Sequence, residues 1–223
     1  QFKLAELYLA HPCAAQLPRP RYEVFARERR VQVELFRPEN VPLETEETKL
    51  GQQYQKLSGS LTVRFRGQEK TLPQMAPFLE EPDRALRQEA WELVANRRLQ
   101  EADQFDGLFD PMLRLREQIA QNAGFSSYTD YAFRAKCRFD YTPADCLRFH
   151  DTIESEIMPV VRELQSRRRA QLGVPSLRPW DLDVDPLGRP PLRPFAQASE
   201  LADKTQRIFD QLHPALAAGF RQM

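Results

Sequence analysis

A chain of 223 residues allows one large domain or two small ones, and burial of about 70% of the unfolded surface is within its reach. Its 32 Lys plus Arg balance 32 Asp plus Glu, so no bulk charge selects nucleic acid or a membrane surface as partner. Cys13, Cys137 and Cys146 are odd in number, widely spaced and without a C-x-x-C pair, a pattern suited to a reducing compartment such as the cytoplasm rather than to a disulfide framework.

No run of 18 apolar residues occurs and no basic-then-apolar leader precedes Phe2, so neither a membrane span nor a secretion signal is expected. The first residues already read as helix and the last, at Met223, as helix again, so both ends read as cut. In chain order, Phe2, Leu4, Leu7 and Tyr8 make a weak amphipathic pattern that stops before His11-Pro12. Tyr22 to Phe36 is a stronger helix whose dense Arg and Glu form a solvated outer face. Arg37-Pro38 ends it, and Thr45-Glu46-Glu47 is the predicted start of the next helix, with Leu50, Tyr54 and Leu57 inward.

From Ser60 to Leu72 the period changes. Leu61, Val63 and Phe65 alternate with Thr62, Arg64 and Arg66, and Gly67-Gln68 offers a turn into a short return strand, which predicts one β-hairpin near residues 60–72. Helices resume at Glu81-Pro82 with Leu86, Ala90, Leu93 and Val94 on one stripe. A second stripe runs from Phe105 through Ile119 to Ala123, and Pro111 predicts a kink or break between the two. Gly124 closes that element, and Ser126-Ser127 begins a short helix bearing Tyr128 and Tyr131.

Thr142 to Trp180 is the most informative stretch. Thr142 can cap the N–H of Asp145, Pro143 sits where its missing N–H costs nothing, and Asp145 favours the positive helix start. Cys146, Phe149, Ile153, Ile157, Val160, Val161, Leu164 and Leu172 then recur at steps of three and four until Gly173, which predicts one long helix with a core-facing stripe. About 30 residues at ~1.5 Å each give a rod of roughly 45 Å. Beyond Trp180, Pro186, Pro190, Pro191 and Pro194 predict a stiff connection without helix. Ser199 is the predicted cap of a helix with Leu201, Ile208 and Leu212 inward, and Pro214 opens a last one.

Residue chemistry alone assembles no complete active site. A zinc hydrolase helix needs two histidines one turn apart, and His11, His150 and His213 are far from one another in sequence. His150 and Glu154 at i,i+4 are two ligands at most and read as a surface pair. Cys137 has basic neighbours, Arg134, Lys136 and Arg138, able to lower its thiol pKa, but it has no identifiable base, and a partly buried structural cysteine is the default against a thiol-dependent activity. Arg167-Arg168-Arg169 sits in last turns, where cations suit the macrodipole, with anion binding as the lesser reading. Tyr128, Tyr131, Phe133, Phe139 and Tyr141 read as core rather than as a substrate platform.

Several strings nevertheless carry a family likeness. Ala123 to Tyr131, Asp140 to Asp145, Ile157 to Val160, Leu172-Gly173-Val174 and Leu177 to Asp181, with its Arg178-Pro179-Trp180-Asp181 corner, follow one another in a distinctive order and spacing. In that order the chain resembles the oligoendopeptidase F branch of the thimet-oligopeptidase-like zinc metallopeptidases. Val41 to Leu57, the hairpin, and Leu79 to Ala95 with Asp83-Arg84 and Arg87 look like that family's N-terminal half, and the segment ending in Phe220 and Met223 looks like the part leading to its catalytic portion.

The resemblance implies a mainly α, multi-helix portion of a zincin-like oligopeptidase, with 1–123 an N-terminal helical region holding the hairpin and 124–223 a helical region leading into the catalytic portion. It implies a parent that hydrolyses short peptides, in which zinc polarises the scissile carbonyl and a glutamate deprotonates the metal-bound water. The family's H-E-x-x-H helix and further glutamate lie in the C-terminal half, past Met223, so no catalytic, cofactor-binding or metal-ligating residue is assigned here and no zinc is expected on this chain. The expected partners are oligopeptide substrate and the C-terminal half of the same polypeptide, with self-association through Ile208, Leu212, Leu216 and Phe220. From another class, a free-standing helical interaction scaffold without catalysis is the alternative.

Overall fold

The hairpin is the centre of the best-packed part of the molecule. The structure is a computed structural model describing residues 2–223, among which there are ten α-helices and one two-stranded sheet. Strand β1 (Thr62–Phe65) pairs antiparallel with β2 (Gln68–Thr71), in register from Thr62 opposite Thr71 to Phe65 opposite Gln68. The turn falls on Arg66-Gly67 rather than Gly67-Gln68. Both turn residues have left-handed φ, 51° and 80°, the requirement of a two-residue hairpin loop matching the strand twist. Alternation sends Leu61, Val63 and Phe65 inward, where they join Leu72, Met75 and Ala90 in one buried cluster.

Two layers close over that cluster. Leu72–Leu79 runs in tight helical turns, opened by a capping box in which the Thr71 N–H donates to Gln74 Oε1 at 2.9 Å, and it brings Phe78 onto Phe65 with ring centroids 4.8 Å apart. Helix α4 (Arg84–Leu99) starts where Asp83 accepts from the Ala85 N–H, and it turns Leu86, Ala90, Leu93 and Val94 toward the hairpin.

The remaining helices of this half pack pairwise. Helix α1 (Phe2–Ala10) lies on α2 (Arg19–Leu35), with Phe2 stacked on Phe36 and Tyr8 edge-on to Phe25. Helix α3 (Asn40–Ser60) packs on α5 (Ala102–Asn122), and α6 (Tyr128–Ala135) follows. The start of α3 lies five residues ahead of the predicted Thr45, because Asn40 is buried and tied to α5: its amide donates to the Ile119 carbonyl at 3.0 Å and its oxygen accepts from Asn122 at 2.7 Å. Tyr54, predicted inward, is 51% exposed and meets Phe105 only edge-on. The chain does turn between the two stripes, at Gln100-Glu101, but Pro111 is not the cause: it lies ten residues on, inside α5, which continues through it.

The long helix departs from expectation in two ways. It is α7 (Pro143–Thr152) and α8 (Met158–Leu172) joined by a π turn at Ile153–Ile157, not one regular helix. Pro159 offers no N–H to the carbonyl four residues back, and the chain widens so that the Met158 N–H reaches the Ile153 carbonyl. The ends are as predicted: Thr142 and Asp145 form a reciprocal cap, and Gly173 takes φ 65°, which a Cβ would disfavour, to let Val174 N–H close on Arg169. The stripe, however, does not face a core. Phe149, Ile157, Val160 and Leu164 are 52–62% exposed, since no element among residues 2–223 covers that side.

After Leu172 the chain turns at Pro179–Asp181 and crosses 182–197 without helix, as the prolines require. Helix α9 (Ala198–Leu212) follows Gln197, not a capping Ser199, and packs on α10 (Pro214–Arg221) through Phe209, Ala217 and Phe220. Leu201, Ile208 and Leu212, predicted inward, are exposed, because the α9–α10 contact uses the Phe209 face instead. No helix of the described residues is long and apolar enough to cross a membrane.

Candidate functional site

The residues singled out by sequence do not converge. His150 is exposed on α7, and Glu154 falls in the π turn that follows. His11 and His213 each use Nδ1 to accept a backbone N–H, from Cys13 and Ala215, and so cap their own helical turns. Among the described residues no three His, Cys, Asp or Glu come together as a metal-binding group.

Cys137 lies just past α6 at φ 54°. Burial pushes its thiol pKa up and Glu28 adds to this, while Arg134, Arg27 and Arg29 oppose without reversing it. The lowered thiol pKa expected from its basic neighbours is therefore corrected: dehydration of the thiolate outweighs their attraction. The aromatic cluster is not sealed core either. Its rings are half-buried or exposed, Phe133 meets Tyr141 edge-on at 5.7 Å, and arginines cover ring faces, with Arg27 over Phe139 at 4.1 Å.

What the fold does bring together is a charged node around the Arg178–Asp181 corner. Asp181 is fully buried, and Arg87, on α4, is 2% exposed. Arg84 grips the carboxylate with two N–H groups at 2.9 and 2.8 Å, Arg87 donates to it at 3.1 Å, and the Arg178 N–H adds a bond at 3.0 Å. Arg87 also donates to the carbonyls of Trp180, Glu81 and Pro82, so all three nitrogens of its guanidinium are engaged. The Arg84 hydrogen bonds hold the Asp181 carboxyl below the usual carboxylate range, with the Arg178 amide and Arg87 reinforcing them against burial. Arg168 extends the node to α8 by donating to the carbonyls of Asp181 and Val184, which makes the middle of the arginine run a packing residue.

Two concave surfaces lie elsewhere, neither lined by a residue of the node. A cleft of about 620 Å³ opens between α3, the end of α4 and α5, walled by Tyr54, Phe105, Phe109 and Met112 and carrying Arg98 and Asp106. A second, of about 470 Å³, lies between α2 and α6 beside Cys137, with Glu44 and Tyr131 on its wall. Burial raises the pKa of both, and carboxylate neighbours raise it further, Glu47 for Glu44 and Glu44 for Tyr131.

A family model described as Peptidase family M3 matches residues 78–212, more than half of the chain. The chain belongs to peptidase family M3. The matched M3 segment begins at the Phe78 that packs on the hairpin and ends with α9, so it includes every residue of the Asp181 node. Among solved structures, a protein assigned as oligoendopeptidase F from Bacillus anthracis str. Ames superposes with a TM-score of 0.90 at 23% identity, over 100% of this chain and 41% of its own. Another oligoendopeptidase F assignment gives 0.91 at 26% identity, and PZ peptidase A, solved with an inhibitor, gives 0.91 at 27%, each over 100% of this chain and 39% of the other. This M3 chain thus spans about two-fifths of the proteins it resembles. A comparison with curated protein sequences gives no match.

The node was half visible in sequence. Arg87 lies three residues before Ala90 on an otherwise apolar stripe, the position of a buried charge seeking a partner, but nothing local names Asp181, 94 residues on, as that partner.

Proposed function

We propose that these 223 residues are the N-terminal part of a zinc-dependent, cytoplasmic oligoendopeptidase that hydrolyses short peptides, and that they supply channel wall and scaffold rather than catalytic groups. In this reading 1–123 and 124–223 are successive helical regions of that part, and the C-terminal half of the same polypeptide is its first partner. The observation that carries it is the superposition of the whole chain on two-fifths of PZ peptidase A and of an oligoendopeptidase F, at TM-scores of 0.91. The residues present do not fit a zinc ion: two of the three histidines cap their own turns and the third stands apart on α7. In this reading the ligands and the catalytic base belong to other residues of the full-length enzyme.

The test combines sequence and turnover. The reading frame beyond Met223 should encode H-E-x-x-H, the full-length product should cleave a quenched-fluorescence oligopeptide until a chelator is added, and the 223-residue chain with added zinc should not cleave it. Chelator-sensitive turnover by the purified chain alone overturns the scaffold role. A reading frame that stops near Met223 favours the free-standing interaction module instead.

A further inference from the structure

We draw no further inference here: the strongest candidate, the exposed apolar stripe of Phe149, Ile157, Val160 and Leu164 along the α7–α8 rod, carries nothing because nothing in the structure shows what covers it.

Discussion

Val63 and Leu164 both lie on apolar stripes of full regularity, yet Val63 is 5% exposed and Leu164 57%. Around the hairpin three elements close on one another, and β1, the turns of 72–79 and α4 each contribute a face that only the others can cover. The α7–α8 rod is tied near its C-terminal end by the Arg168 bonds to the Asp181–Val184 corner, and its apolar side stands open. Periodicity states which side of an element favours burial and does not say what covers it. In the first region the covering elements are the next ones in the chain, Leu72–Leu79 and Arg84–Leu99, and in the second none is found among residues 2–223.

The sharpest way to break this comparison is to truncate one side chain from each region. Phe65→Ala should cost about 3–5 kcal/mol, because a fully buried ring leaves a cavity against Phe78 and Met75. Leu164→Ala should stay within about 0.5 kcal/mol, since its side chain already contacts water in the folded chain. Urea denaturation of the two variants measures both. Equal losses would mean that the rod's stripe is buried in solution and that the contrast is wrong.

The Asp181 node joins the two regions, and its removal comes next in size. Asp181→Asn leaves Arg87 buried without its anion, an expected loss of about 3 kcal/mol. The pH dependence fixes the sign. The folded carboxyl holds its proton less readily than the unfolded one, so its contribution is complete above the ordinary carboxylate pKa near 4 and is lost as pH falls through the lowered native value. Wild type should therefore lose stability steeply below about pH 4. The Asn variant, already weaker at pH 7, should show a shallower acid limb. Parallel limbs would remove Asp181 from the acid transition.

Local signals and long-range ones differ in how well they could be read. The hairpin alternation, the Thr142–Asp145 cap and the Gly173 stop are each complete within a few residues, and each is found where it was predicted. The early start of α3 was not legible, because Asn40 is recruited by α5 some 80 residues later. The π turn follows from Pro159, but a proline inside a helix permits a kink, a break or a widened turn, and local chemistry does not choose among them. The direction of the Cys137 thiol shift was not legible, because adjacent charges in sequence say nothing about burial. Of the node, Arg84, Arg87 and the Arg178–Asp181 corner stood out as family likeness but not as one charge cluster, because the pairing spans 94 residues.

The smallest expected effect on stability, and the largest on behaviour, belongs to the α9–α10 pair. Ile208, Leu212 and Leu216 are 52–65% exposed, while Phe220, predicted to share that surface, is turned aside against Phe209. Ile208 and Leu212 lie one turn apart on α9 and Leu216 lies on α10, three large aliphatic groups left in water, and burying a leucine fully is worth about 1.5–3 kcal/mol. The chain alone should therefore associate with itself as its concentration rises. Leu212→Gln with Leu216→Gln should leave the urea midpoint within the scatter of surface substitutions, about 0.5 kcal/mol, and shift the association to higher concentration. Sedimentation velocity over a concentration series separates these outcomes. A wild-type chain that stays monomeric throughout removes the patch as an adhesive surface, and a double variant that unfolds instead would place these leucines in a core, as Val63 is.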